Sequence, residues 1–216
     1  MVLGVRCVET NSFNRLQELK LAPQFNRRLL SGLTALDSML DGGLNEGELS
    51  EWGMPWGQGL RELMLPFLAR AQRDYSYWVL WVYGRQHIAI NPWAWHARSI
   101  DLNSTRFVYS QDPMQELRAL FLSDFFRVIV LDQVPHLKEE DCQHLARNAR
   151  TYGQSILILR PGLLTHEQGN IWTRLRLNCH YDFKSQSIAV HVLKGRAPKS
   201  ISIFPSDLAA LSRSFL

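Results

Sequence analysis

Residues 53–59 have the composition and spacing of a loop that binds phosphate. The run GMPWGQG follows a short extended segment at 48–52 and precedes an apolar helical pattern that begins at Leu60. Its three glycines are Gly53, Gly57 and Gly59. A strand, a glycine-rich loop and a helix in this order direct backbone N–H groups and a helix N-terminus toward an anion.

The loop lacks the side chains that hydrolysis of Mg-ATP requires. A P-loop follows G-x-x-x-x-G-K-[ST], in which the Lys reaches the β- and γ-phosphates and the Ser or Thr binds Mg²⁺. Counted from Gly53, the last three positions hold Gln58, Gly59 and Leu60, and a shift by one residue puts Leu60 and Arg61 at the Lys and Ser/Thr positions. Neither register fits. We therefore expect no enzymatic activity and no bound cofactor, with the glycines serving a tight turn from strand to helix.

Asp132 is the second residue with the chemistry of a nucleotide site. It ends the run RVIVLD, which has the form of a Walker B strand, and in an active NTPase such an acid helps to hold Mg²⁺. Because the Lys and the Ser/Thr are absent, we predict that Asp132 is vestigial and makes a cap or a hydrogen bond at the end of its strand.

The elements that position these residues alternate between strand and helix from residue 48 to residue 160. Apolar runs, typical of buried parallel strands, occur within 77–83, 127–132 and 155–159. Helical spacing of apolar residues occurs at 60–73, 114–126 and 138–152, and Pro66 would bend or interrupt the first of these helices. The pattern predicts an α/β fold with a mostly parallel central sheet and helices on both faces.

The last third of the chain changes to a period of two. Apolar and polar residues alternate from 174 to 183, a turn follows at 184–187, and two further extended runs complete an antiparallel β-meander. Residues 160–199 contain seven Lys and Arg but two acids. We predict an exposed basic face for DNA or for an acidic protein, with a simply solvated strand face as the alternative. Its candidate residues are Arg174, Arg176, Lys194 and Arg196.

We divide the chain into an N-terminal arm (1–28), a central domain (29–204) and a C-terminal tail (205–216).

Two further segments carry candidate contacts. In the tail, Leu208, Leu211 and Phe215 have the i, i+3, i+7 spacing of a helix that docks in a partner's groove, unless the helix folds back on its own sheet. Trp93 and Trp95 could stack on nucleic-acid bases or fill the edge of the core.

Other classes of site are disfavoured by composition. The three cysteines are widely spaced, and the seven histidines show no metal-ligand spacing, so we expect neither a disulfide framework nor a metal site. No apolar run reaches 18 residues, and the first residues lack a signal pattern. We expect a cytoplasmic protein without membrane contact.

The run LLSGLTALDSMLDGGLNEGELSEWG resembles the segment that leads into the P-loop of RecA-type recombinases. The degenerate loop and helix that follow, GMPWGQGLRELMLPFLA, are similar to the ImuA family, the RecA-like and SulA-like accessory proteins of bacterial mutagenesis cassettes. The resemblance extends through WVLWV, IAINPWAWHARSIDLNSTRFVY, LILRPG and LKGRAP, and so covers most of residues 30–199.

This resemblance implies a RecA-like three-layer fold and a role in the SOS response to DNA damage. It implies non-catalytic support of error-prone translesion synthesis, with an ImuB-like Y-family polymerase homologue, an error-prone polymerase or RecA as partners and possible weak DNA binding. A catalytic RecA-type ATPase would carry an acid just beyond strand 77–83, where this chain has Gly84, Arg85, Gln86 and His87. The alternatives are a weak ATPase of the recombinase class and a SulA-like inhibitor of cell division.

Overall fold

The computed structural model describes residues 27–85, 90–165, 170–195 and 199–214, and the side chains only as far as residue 211. The strands in these ranges are β1 (Arg28–Leu29), β2 (Leu44–Asn45), β3 (Leu49–Gly53), β4 (Trp78–Tyr83), β5 (Thr105–Tyr109), β6 (Phe126–Asp132), β7 (Ser155–Arg160), β8 (Leu175–Asp182), β9 (Ser187–Lys194) and β10 (Ser200–Ile203). The helices are α1 (Thr34–Met39), α2 (Leu60–Tyr75), α3 (Pro92–His96), α4 (Pro113–Glu116), α5 (Arg118–Phe121), α6 (Glu139–Tyr152) and α7 (Pro205–Ser214).

One eight-stranded sheet forms the centre of the molecule. Its strand order is β10-β9-β8-β3-β7-β6-β4-β5, while β1 and β2 form a separate antiparallel pair. The strands from β3 to β5 in this order are mutually parallel, β8 is parallel to β3, and β8, β9 and β10 pair antiparallel. The predicted mostly parallel sheet with a C-terminal antiparallel meander is therefore confirmed.

Helices cover both faces of the parallel part. On one face, α1 and α2 pack against alternate residues of the strands and enclose Trp52 and Trp81. On the other face, α5 and α6 pack against the intervening residues through Phe121 and Leu145. The separation follows from the strand geometry, because successive side chains point to opposite faces.

Helix α2 carries the glycine-rich loop at its N-terminus. It begins after Gly59 and continues through Pro66, which is buried, so the predicted helix is present and includes the proline. It ends at Tyr75, and Ser76, which follows it, has left-handed backbone angles. The predicted helix at 138–152 is likewise confirmed as α6, and Gly153 ends it with a φ of 66°.

The predicted helix at 114–126 is wrong. The structure has two four-residue helices, α4 and α5, and Phe126 already belongs to β6. Leu117, between the two helices, has a φ of −118°, which is not helical. Phe121 is buried in the core while Phe125 is half exposed, so two residues with helical spacing in the sequence do not share one buried helix face.

The tail helix α7 folds back on the domain. Leu208 is only 7% exposed and belongs to the core, and Leu211 packs against that core beside Gly32. The prediction that Leu208 is an exposed docking anchor is therefore wrong, and the alternative of a helix packed on its own sheet is confirmed. Phe215 and residues 1–26 of the predicted arm at 1–28 lie outside the described residues.

Within the described ranges, no helix has both the length and the apolar character that crossing a bilayer requires.

Candidate functional site

The glycine-rich loop and Asp132 meet at the carboxyl ends of β3 and β6. Between them lies a cleft of about 270 Å³, lined by loop residues 54–57 and 59 and by side chains of α2, β6 and β7. Gly57 and Gly59 have φ values of +79° and +96°, left-handed conformations that glycine adopts without strain. The sequence-predicted residues of a nucleotide site are thus brought together.

Arg61 closes this site from the first turns of α2. Its Nε donates to Oδ2 of Asp132 at 2.7 Å, and its Nη2 lies 2.5 Å from the same oxygen. Trp81 Nε1 also donates to this oxygen, at 3.2 Å. Burial raises the pKa of the Asp132 carboxyl, and the charge and hydrogen bonds of Arg61 and the hydrogen bond from Trp81 oppose that rise.

The ion pair of Arg61 and Asp132 leaves no arrangement suited to Mg-ATP. In the shifted P-loop register, Arg61 stands where the Mg²⁺-binding hydroxyl of a Ser or Thr would be, and Leu60 stands where the Lys would be. A guanidinium cannot coordinate a cation, since all of its N–H groups are donors. Its positive charge already neutralises the acid that would help to hold the metal. The residues present therefore do not fit a Mg-nucleotide.

Gly53 and Gly57 are glycines for different physical reasons. A Cβ on Gly53 would lie 2.6 Å from the carbonyl oxygen of Gly162 and 2.7 Å from Oδ1 of Asn178. Asn178 in turn bonds both backbone groups of Leu164, so this crowding is part of an ordered contact. A Cβ on Gly57, in contrast, would meet nothing within 4 Å, so what favours glycine there is the left-handed backbone angle and not crowding.

Trp56 is a residue of the cleft that the sequence analysis missed. Its ring is half exposed, and the guanidinium carbons of Arg61 and Arg85 lie 5.2 Å and 5.9 Å from the ring centre. These are cation–π distances, so the ring adds a second contact to the same arginine that pairs with Asp132. A tryptophan inside a glycine-rich loop was the available signal.

A second charged group lies in the sheet, at Glu51 of β3. Arg160 Nε of β7 donates to its Oε1 at 2.9 Å, and Arg176 Nε of β8 donates to its Oε2 at 3.2 Å. Arg176 also donates to the carbonyl of Thr165 at 3.0 Å and is only 4% exposed. A cavity of about 430 Å³ adjoins Glu51 and Arg160 next to the start of α6.

The predicted exposed basic face is therefore wrong at Arg176. Glu51 and Arg176 are register partners in the parallel β3–β8 pair, which brings the arginine beside a buried carboxylate. Arg174 is exposed and bonds Glu48 at 3.2 Å, and Lys194 is exposed and donates to the carbonyl of Ile171. Arg196 lies outside the described residues.

The two tryptophans of α3 separate into one core and one surface residue. Trp95 is buried and packs edge-to-face on Trp81 at 4.6 Å and on Phe107 at 5.1 Å. The core alternative therefore holds for Trp95. Trp93 is 78% exposed and remains available for a contact.

Neither cysteine in the described part of the chain has the features of a reactive thiol. Cys142 and Cys179 are buried and unpaired, and burial raises the pKa of the Cys142 thiol to about 12. Among the described residues, no group of three or more His, Cys, Asp and Glu side chains is arranged to hold a metal ion.

Comparison of the chain with models of protein families finds no match, and comparison with curated proteins finds none either. The resemblance to RecA-type recombinases and to the ImuA family therefore stays a prediction from the motifs quoted above.

Proposed function

We propose that this protein is a RecA-like accessory protein that supports error-prone translesion DNA synthesis in the SOS response without nucleotide chemistry of its own. It acts through protein contacts with an ImuB-like Y-family polymerase homologue, an error-prone polymerase or RecA. The observation that carries the non-catalytic part is the Arg61–Asp132 pair. The biological process comes from the resemblance of the loop and its flanking segments.

The architecture supports the proposal. A parallel sheet with helices on both faces, extended by an antiparallel meander, agrees with the RecA-like fold that the resemblance implies. The glycine-rich loop connects β3 with α2, and the acid stands at the end of β6, as in the motifs of a P-loop protein. The framework of a nucleotide site is retained while its reactive side chains are replaced.

The same pair argues against the alternative of a weak ATPase. Phosphoryl transfer depends on a cation that neutralises charge developing on the phosphates and on a group that orients the attacking water. Arg61 is engaged with Asp132, and the residues after β4 begin with Gly84 and Arg85 rather than an acid. A SulA-like inhibitor would share the fold, and no contact among the described residues favours that function.

A matched pair of substitutions at Gly57 tests the proposal. Gly57→Asp would place a negative charge in the loop and repel phosphate, whereas Gly57→Asn has nearly the same shape without the charge. Both fit sterically, since nothing lies within 4 Å of the added Cβ, and both residues tolerate left-handed angles better than other side chains. Each variant replaces the chromosomal copy, and mutation frequency after ultraviolet irradiation is measured together with protein level.

We expect both variants to support damage-induced mutagenesis as the unsubstituted protein does, while deletion of the gene reduces it. Loss of mutagenesis in Gly57→Asp alone, with normal protein level, would show that nucleotide binding is essential and would overturn the non-catalytic role. An unchanged mutation frequency after gene deletion would overturn the role in translesion synthesis.

A further inference from the structure

Strand β5 is an outer strand of the eight-stranded sheet, and its free edge is the feature from which we infer a further site. Val79 N–H of β4 bonds the carbonyl of Ser104, and Ser110 N–H bonds the carbonyl of Tyr83. Arg106 and Val108 lie between these two bonds, and in the parallel register their backbone N–H and C=O groups point toward β4. The N–H and C=O groups of Phe107 and Tyr109 consequently point away from the sheet.

No described residue pairs with these outward groups. Thr105, the other outward residue, is already engaged, because its N–H bonds the carbonyl of Leu102 and its own carbonyl accepts from Arg106 Nη1. The other outer strand, β10, differs in that α1 packs against it. Unpaired strand groups at an edge are a template for another strand, and native proteins usually blunt them.

Some of the exposed large apolar side chains lie on β5 or on segments at this end of the sheet. Tyr109 lies on β5 itself, and Trp93 belongs to α3, whose Trp95 packs on Phe107. Leu122 and Phe125 lie between α5 and β6, and Phe125 contacts Trp78 at 4.9 Å between ring centres. Large aromatic side chains at the surface are the usual anchors of protein interfaces.

The charge of the edge indicates what kind of strand fits. Arg106 is the one charged residue in Thr105–Tyr109, and its guanidinium lies 4.7 Å from the ring centre of Trp78. It donates to the carbonyls of Asn103 and Thr105 and is paired with no carboxylate among the described residues. An acidic side chain on an added strand would supply that partner.

We propose that the β5 edge binds an extended segment of a partner protein, which adds as a further strand and carries an acidic residue opposite Arg106. The backbone groups of Phe107 and Tyr109 provide the hydrogen bonds, and the exposed aromatic residues extend the contact. This deepens the proposed function, because it names the surface on which a protein partner docks. It also requires no particular partner, so it can be tested separately.

The probe is a pair of peptides, acetyl-TVEVTV-amide and its lysine counterpart acetyl-TVKVTV-amide. They are titrated into the ¹⁵N-labelled full chain, and amide signals are followed by NMR. We expect the amides of Phe107 and Tyr109 to shift most, those of Arg106 and Val108 to shift less because they bond β4, and the glutamate peptide to bind about threefold more tightly. Shifts centred elsewhere would overturn the proposal.

Two substitutions at Tyr109 separate the backbone from the side chain. Tyr109→Pro removes the outward N–H without removing a bond to β4, whereas Tyr109→Thr removes the ring and keeps the N–H. We expect at least a tenfold loss of glutamate-peptide binding in the proline variant relative to the threonine variant, at equal melting temperature. Equal binding by the two variants would overturn the proposal.

Arg106→Glu is the independent variant, because it leaves every backbone group of β5 in place. We expect it to reverse the preference, so that the lysine peptide binds more tightly, and an unchanged preference would contradict the assigned charge complementarity.

Two other occupants have distinct signatures. If the amides of Phe107 and Tyr109 are protected from hydrogen exchange until residues 1–26 are deleted, the chain's own arm covers the edge. If sedimentation shows a dimer that Tyr109→Pro dissociates, a second copy covers it. Either result would overturn the proposal, and neither would bear on the Gly57 test of the proposed function.

Discussion

Glu51 and Asp132 are both buried carboxylates on strands of the same sheet, but their surroundings differ. Glu51 lies within β3 between two arginines that reach it from the neighbouring strands β7 and β8. Asp132 lies at the end of β6 beside the cleft, where one arginine from α2 and one indole N–H reach it. The Glu51 group connects three strands, whereas the Asp132 group connects the end of β6 with the helix that follows the glycine-rich loop.

The difference shows how one kind of ion pair can have two consequences. Removing one partner of a buried pair leaves an uncompensated charge, so the Glu51 group is a structural element whose loss affects the whole sheet. The Asp132 pair replaces the neutralisation that a bound cation would supply and leaves an open cleft next to it. The following predictions test this contrast.

The largest effect is expected for Glu51→Gln. The substitution leaves the guanidinium of Arg176 buried without its carboxylate and weakens the bond from Arg160, so we expect a loss of about 3 kcal/mol in the free energy of unfolding. Urea denaturation measures it. The matched control is Glu48→Gln, which removes the partner of the exposed Arg174 and should cost less than about 1 kcal/mol. Equal losses would show that Glu51 is no structural tie.

A smaller, pH-dependent effect is expected for Arg61→Gln. We expect a loss of about 2 kcal/mol at neutral pH, because Arg61 is less enclosed than Arg176 and its removal leaves a buried carboxylate. Arg61 lowers the pKa of Asp132 against the larger effect of burial, so its removal should raise that already elevated pKa further.

The sign of the pH dependence follows from linkage. The penalty of Arg61→Gln is complete where Asp132 is ionised, decreases as the pH falls through the raised pKa of the variant, and is smallest below the pKa of the unsubstituted protein. Urea denaturation at several pH values, with the Asp132 carboxyl followed by NMR, measures both quantities. A penalty independent of pH would mean that Arg61 stabilises through packing alone.

The smallest effect is expected for Arg174→Gln. Arg174 precedes β8, two residues from Arg176, but its side chain is largely exposed, and its bond to Glu48 is a surface interaction. We expect the free energy of unfolding to change by less than about 1 kcal/mol, whereas Arg176→Gln should resemble Glu51→Gln. Thermal melting of the two variants side by side distinguishes them, and a larger loss in Arg174→Gln would contradict the burial contrast.

The sequence was sufficient for the parallel part of the fold because its patterns are local. The apolar runs of β4, β6 and β7 and the position of Asp132 at a strand end are visible in single segments of the chain. The convergence of the glycine loop with Asp132 follows from strand direction, since the carboxyl ends of parallel strands share an edge. The motif also placed Arg61 at the start of the helix after the loop, but its pairing with Asp132 was not predicted.

The errors arose where burial depends on a partner distant in the chain. Arg174 and Arg176 alternate with apolar residues in the same way, so their spacing does not show which of them is buried. Only the pairing of β8 with β3 puts Glu51 beside Arg176. Leu208 has the spacing of an anchor in either environment, and only tertiary packing decides between a partner's groove and the protein's own core. Phe121 and Phe125 share a helical spacing that the connection between β5 and β6 does not maintain.

The crowding at Gly53 has a consequence for how such loops change over time. Any side chain at this position would collide with the carbonyl of Gly162 and the carboxamide of Asn178, whether or not a nucleotide ever enters the cleft. The first glycine of the motif is therefore held in place by neighbouring backbone, and mutations there are rejected on steric grounds. A glycine motif can in this way persist in a protein that does not bind the ligand with which the motif is usually associated.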